Sequence, residues 1–320
     1  MKKKIIFLLA FVLLYLVGSS FIALADDLQD GLYRYNAGEY DSAHKLLLPL
    51  AEQGNATAQL VLGSMYELGK GVQQDYSEAA KWYKLSAEQG NAGAQNLLGL
   101  FFEKGRGFPQ NYVEAVKWYQ LSADQGYALS QLFLGERYYL GQGVQQNFIE
   151  AAKWFELAAM QGLKNAQYSL GVMYYHGQGV EQNYQEAFNR YKLLALQGHA
   201  KARYNLGLMY YHGQGVQQNY KEAFKWFKLS SEQGVVFAQY NLGYFYDHGK
   251  GISQDCIKAF NLYELSAKQG NALAQSNLGL LYNLGKVVSK NYKEATRLYR
   301  LSAEQGNKEG QSNLGTMYEK

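Results

Sequence analysis

The stretch 51-AEQGNATAQLVLGSMYELGKGVQQDYSEAAKWYKLS-86 decides the fold, because it returns to the end of the chain. The glycine of its QG step falls at Gly54, Gly90, Gly126, Gly162, Gly198, Gly234, Gly270 and Gly306, spaced by 36 residues without insertion or deletion. The glycine of its LG step keeps the same register from Gly63 to Gly315. A fixed period in this range is the signature of a solenoid, in which each unit buries its apolar face against its neighbours.

Within one copy the pattern predicts two helices. Helix A covers Ala56–Leu68, with Ala58, Leu62, Met65 and Tyr66 on its apolar face. Gly69 and Gly71 end it, since glycine reaches positive φ at little cost. Asp75 is an N-cap, with Glu78 three residues on as its capping-box partner. The box recurs as Asn111/Glu114, Asn147/Glu150, Asn183/Glu186, Asn219/Glu222 and Asn291/Glu294. Helix B covers Tyr76–Glu88, with a core face of Tyr76, Ala79, Trp82 or Tyr83, and Leu85; Gly90 stops it. Gly63 and its equivalents lie inside helix A, where glycine costs about 1 kcal/mol against alanine. Such a repeated choice calls for a packing reason: close approach of a neighbouring helix B, with Trp or Tyr lying over the missing side chain.

The pattern A-x-x-G-x-A-x-A-Q-x-x-L-G-x-x-Y-x-x-G-x-G-V-x-x-[DN]-Y-x-x-A-x-x-[WF], read here at Ala51–Tyr83, resembles the Sel-1-like repeat, a relative of the tetratricopeptide repeat. The resemblance implies an all-α, right-handed α/α superhelical solenoid and a role in assembling protein complexes. It also implies work in the cell envelope or outside the cell, as in exported bacterial members.

Residues 1–25 read as a signal peptide: Lys2, Lys3 and Lys4, an apolar run Ile5–Val17, and the small-x-small end Ala23-Leu24-Ala25. An uncleaved anchor is the rival reading, disfavoured by the polar break Gly18-Ser19-Ser20; cleavage leaves no stable membrane insertion. Residues 26–50 form a degenerate hairpin that caps the array, 51–302 hold seven repeats, and 303–320 supply a final helix A as C-terminal cap. The protein is expected to be exported, periplasmic or secreted. Loss of the three lysines takes 31 basic and 27 acidic residues to 28 and 27, so nothing favours nucleic acid as a partner. The single cysteine, Cys256, holds a slot that is aromatic in the other repeats (Tyr76, Tyr112, Phe148, Tyr184, Tyr220, Tyr292) and is expected to be a small core residue.

Candidate chemistry is thin. His176, His212 and His248 share one slot of three successive repeats. Stacked helices stand about 8–10 Å apart, whereas two ligands of one zinc are about 3–3.5 Å apart, so no shared metal is expected. Ser42-Ala43-His44-Lys45 matches the S-x-x-K of serine β-lactamases, with no S-D-N or K-T-G to complete it. Gly63–Lys70 fails the Walker spacing, and neither H-E-x-x-H nor C-x-x-C occurs. No catalytic residue, cofactor or metal site is assigned.

What varies over the fixed frame is informative. In tetratricopeptide-like stacks helix A lines the concave side, and the slots of Leu60, Ser64, Glu67 and Leu68 change from repeat to repeat. In the middle repeats they gather Tyr168, Tyr175, His176, Tyr204, Tyr211, His212, Tyr240, Tyr244 and His248. Tyrosine offers large contact area with a hydroxyl, which suits a binding face; packing between neighbouring helices A is the other reading. Asn205, Asn241, Asn277 and Asn313 form a second ladder that either holds an extended peptide or satisfies the neighbouring structure. The favoured function is a non-enzymatic scaffold binding a protein or peptide on this face. The alternatives are an envelope enzyme acting on a β-lactam or peptidoglycan, and a module contacting peptidoglycan or carbohydrate.

Overall fold

The computed structural model describes residues 26–319; the expected signal segment 1–25 lies outside the described residues. Seventeen α-helices and no strand occur among the described residues. A helix over residues 26–37 (α1) pairs with α2 (Tyr40–Glu52). Helices A follow as α3 (Ala56–Leu68), α5 (Ala92–Lys104), α7 (Ala128–Leu140), α9 (Lys164–His176), α11 (Ala200–His212), α13 (Val236–His248), α15 (Ala272–Leu284) and α17 (Lys308–Tyr318). Between them lie helices B: α4 (Tyr76–Glu88), α6 (Tyr112–Asp124), α8 (Phe148–Met160), α10 (Tyr184–Leu196), α12 (Tyr220–Ser231), α14 (Cys256–Lys268) and α16 (Tyr292–Glu304). The fold is an all-α helical solenoid. The chain divides into two compact units, with the division after Ala166.

The helix ends match expectation because the punctuation is local. Gly69 adopts φ 65° and its N–H bonds the Met65 carbonyl, closing helix A. Asp75 accepts from the N–H groups of Ser77 and Glu78, opening helix B. The reciprocal half of the capping box does not form. The Asp75 N–H that Glu78 would satisfy is donated to the Tyr66 carbonyl at 3.0 Å, and the same bond recurs at Asn111, Asn147, Asn183, Asn219, Asp255 and Asn291. The loop is thereby tied back onto helix A, and Glu78 pairs with Lys81 instead.

The recurrent glycine has the expected reason. A Cβ at Gly63 would stand 2.5 Å from Tyr83 Cδ1, and at Gly99, Gly135, Gly171, Gly207, Gly243 and Gly279 it would meet Tyr119, Phe155, Tyr191, Phe227, Tyr263 and Tyr299 within 3 Å. The covering ring is always Tyr or Phe, never the tryptophan one position earlier. Each ring is buried in its own hairpin. Polar ties complete the hairpin. Ser86 Oγ donates to the Ala56 carbonyl (2.6 Å), and Gln89 Nε2 to Gln59 Oε1 (2.7 Å). The buried Gln59 in turn donates to the Ala51 carbonyl of the preceding repeat (2.9 Å), so its amide is used on both sides.

Two expectations about the core are corrected. Tyr76 and Leu85 are 36% and 38% exposed, and the inner face of α4 is Ala79, Ala80, Trp82, Tyr83, Ser86 and Ala87. Helix B is covered by its own helix A and by the adjacent hairpin, which turns Trp82 and Tyr83 inward together and leaves Leu85 at the rim. Cys256 is half-buried and is not a core residue.

Candidate functional site

All nine candidate residues lie in the second unit, on α9, α11 and α13, and the structure sorts them into rows. Tyr168, Tyr204 and Tyr240 are half-buried between successive helices A. Tyr168 stacks on His199 at 5.1 Å and leans on Tyr191 at 5.8 Å; Tyr204 packs on Phe227 and Phe237; Tyr240 packs on Tyr263. Asn205 Nδ2 donates to the Tyr168 hydroxyl at 3.2 Å, whereas Asn241 Nδ2 donates to the Phe237 carbonyl of its own helix at 3.0 Å. Burial pushes all three phenols above their ordinary pKa, against the opposing effect of the asparagines. The asparagine ladder is thus hydrogen-bonded to the tyrosine ladder of the preceding repeat at Asn205.

A second row joins helix A to the next loop. The Tyr175 hydroxyl donates to Gln214 Oε1 at 2.6 Å, thirty-nine residues on. Tyr211 has Lys250 at the same offset, with the ammonium 5.5 Å from its ring and 5.1 and 5.9 Å from the rings of Tyr220 and Tyr244. Burial raises the Tyr244 phenol, with Tyr211 adding to the shift and Lys250 opposing it.

The third row is exposed. His176, His212 and His248 stand in solvent, each against an aromatic ring: Tyr175 at 4.9 Å, Tyr211 at 4.8 Å and Tyr244 at 4.1 Å. No cluster of metal-ligating side chains occurs among the described residues. Phe237 (56% exposed), Asn241, Tyr244 and His248 follow one another at i, i+4, i+7 and i+11, and Leu273, Asn277, Leu280 and Leu284 repeat that stripe on α15. Leu280 and Leu284 stand in the slots of Tyr244 and His248, but Phe237 and Leu273 were missed by sequence reasoning, which followed other slots. Their signal was present: large apolar residues at positions that hold Asn165 and Lys201 in the two preceding repeats.

In the first unit the slot of Tyr175 holds Glu67, Glu103 and then Tyr139. Glu67 accepts from the Tyr83 hydroxyl (2.7 Å) and pairs with Arg106 (3.1 Å), again thirty-nine residues on. Glu103 accepts from Tyr119 (3.1 Å) and pairs with Lys104 (2.8 Å) and with Arg137 (3.2 Å). Arg137 stands in the core slot of Met65, Phe101 and Met173, and its side chain is only 8% exposed. Ser42 and Lys45 of the S-x-x-K match lie one turn apart on α2 with no hydrogen bond between them. His44, between them, packs edge-on to Tyr66 at 6.2 Å.

A Sel1 repeat model matches seven consecutive segments: 56–91, 92–127, 128–163, 164–199, 200–235, 236–271 and 272–307. The chain belongs to the Sel1 repeat family. Among solved Sel1-type structures, it is similar to a protective antigen present in uropathogenic Escherichia coli strains displaying an SLR fold. That match has 38% identity and a TM-score of 0.81, and covers 92% of this chain and 64% of that one. It is also similar to a Sel1 repeat protein from Oxalobacter formigenes, with 34% identity, a TM-score of 0.68, and coverage of 75% and 96%. No curated protein matches the chain. Sel1 repeat proteins are generally protein-interaction scaffolds and typically non-enzymatic. No helix among the described residues of this Sel1 repeat protein is long and apolar enough to cross a membrane.

Proposed function

We propose that this Sel1 repeat protein is a non-enzymatic scaffold that binds a protein or peptide along the helix A face of its second unit, in the envelope or outside the cell. The observation that carries the reading is the stripe of exposed side chains at His176, His212, Phe237, His248 and Leu280, with the half-buried ring of Tyr244 among them. Aromatic side chains of this kind supply interface energy with few rotatable bonds. The half-buried tyrosines at 168, 204 and 240 serve beneath it as the packed floor.

Affinity capture from envelope and culture fractions tests it, comparing wild type with His212→Ala/Tyr244→Ala/His248→Ala. These residues lie outside the buried hairpin core, so circular dichroism is expected to stay at wild-type values while the captured partner is lost. Equal capture by both proteins moves the partner off this face. The site of action is tested separately, by mass spectrometry of the N-terminus of the natural protein. A mature chain starting at Asp26 supports export, and an intact Met1 in the cytoplasmic fraction rejects it.

A further inference from the structure

The second unit contains a cavity of about 320 Å³ between α14, α15 and α16, on the helix B side and away from the face discussed above. Its apolar walls are Ala267, Leu278, Tyr282, Leu298 and Leu301. Glu264, Lys268, Glu294 and Arg297 stand around them.

The repeat itself shows what this space accommodates. Leu298 occupies the slot held by Trp82, Trp118, Trp154 and Trp226. Trp82 is buried against Ala51, Leu62 and Tyr66. Trp226 is buried against Ala195 and Leu206, with Tyr210 and Leu229 alongside. Shifted by whole repeats, those residues are the alanine, leucine and tyrosine walls of the cavity, joined by Leu301 in the place of Leu229. Lys81 lies 5.8 Å from the ring of Trp82, and Lys225 lies 5.3 Å from the ring of Trp226. Arg297 holds their position and is fixed by two hydrogen bonds to Glu294, at 2.9 and 2.6 Å. Neither buried indole N–H, at Trp82 or Trp226, has a partner, so these seats hold the indole by its ring and offer its N–H no acceptor.

We infer that this cavity is a vacated indole seat that takes a planar aromatic ring of indole size from outside the chain, with Arg297 over the ring face. A guanidinium held near an aromatic ring supplies a cation–π attraction, and apolar walls of this volume are sufficient to bury a small ring. The ring comes either from a free small molecule or from a side chain of another polypeptide.

The test uses the full-length mature protein, with indole and N-acetyltryptophanamide as probes in isothermal titration calorimetry and thermal melts. Indole is expected to bind wild type, raise its Tm, and lose at least tenfold in affinity on Leu298→Trp, which fills the seat from within. Leu298→Trp itself is expected to melt above wild type. Should that variant fold poorly, Arg297→Gln provides the second measurement: binding weakened several-fold with the melt little changed. Equal affinity for indole as for N-acetyltryptophanamide assigns the seat to a side chain of a polypeptide, and binding of indole alone assigns it to a free ligand. Absence of binding to wild type, or equal binding to wild type, Leu298→Trp and Arg297→Gln, overturns the inference. The helix A face is untouched by these substitutions, so partner capture there reports separately on the scaffold reading.

Discussion

The two units use one frame, and the joints between their repeats differ in chemistry. In the first, helix A meets the next repeat through carboxylates and guanidinium groups: Glu67 with Arg106, and Glu103 with Arg137. In the second, Tyr175 and Tyr211 stand in the slot of Glu67 and Glu103 and meet Gln214 and Lys250, Tyr168 meets Asn205 from a different slot, and a carboxylate returns at Asp247. The glycine sockets and the serine and glutamine ties inside the hairpins recur in both units. What holds a hairpin closed is therefore constant, and what joins hairpins is open to substitution.

The largest effect is expected at Arg137. Arg137→Met leaves Glu103, 9% exposed at its side chain, without its most buried cation and is predicted to cost about 3–5 kcal/mol in urea unfolding, since one partner of a buried pair is removed. Glu103→Gln/Arg137→Met converts that repeat to the uncharged chemistry of the second unit and is predicted to recover most of the loss. A double variant as unstable as the single would show that the two chemistries are not interchangeable.

A smaller effect tests the second unit. Asn205→Ala leaves the half-buried Tyr168 hydroxyl without its donor and is predicted to cost about 1 kcal/mol. A loss near zero would mean that the ring alone does the joining.

The smallest effect separates the units by pH. Burial, reinforced by Glu67, Glu103 and Asp247, raises the phenols of Tyr83, Tyr119 and Tyr263 above the ordinary tyrosine value. A raised phenol favours the protonated folded state. Its contribution is complete below about pH 10, where the unfolded chain also keeps its protons, and declines as the pH rises beyond that. Tyr119→Phe and Tyr263→Phe are each predicted to flatten the alkaline limb of the stability curve. Tyr119→Phe should do so more, because its hydroxyl meets Glu103 at 3.1 Å while that of Tyr263 meets Asp247 at 3.4 Å. Equal flattening would deny the carboxylates a distinct role.

Much of this was legible in the sequence, for physical reasons that differ by level. Helix limits came through to the residue because glycine after helix A and Asp or Asn before helix B act within one turn. The glycine socket was legible because a costly residue was kept at fixed spacing, although the covering ring was Tyr or Phe and not Trp. The tyrosine row was harder. Variation at its slots looked like a free surface, whereas the structure shows a bond to the next repeat. The clue was an offset of thirty-seven: tyrosine stands at 168, 204 and 240 where asparagine stands at 205, 241 and 277. Leu85 was misplaced because helical periodicity marks an apolar stripe without saying how much of it a neighbouring hairpin covers.

The glycine socket also bears on how the chain acquires its structure. Gly63 and Tyr83 are twenty residues apart, and the ties from Ser86 and Gln89 reach back thirty. The joints between repeats reach thirty-four to thirty-nine. Contacts this close in sequence close small loops at low entropic cost and favour rapid folding. A hairpin can therefore seat its ring as soon as its own second helix exists. The joint to the following hairpin is completed only after that hairpin's first helix and loop have been added. Order in time then follows order along the chain, one unit closing before the next is fastened to it.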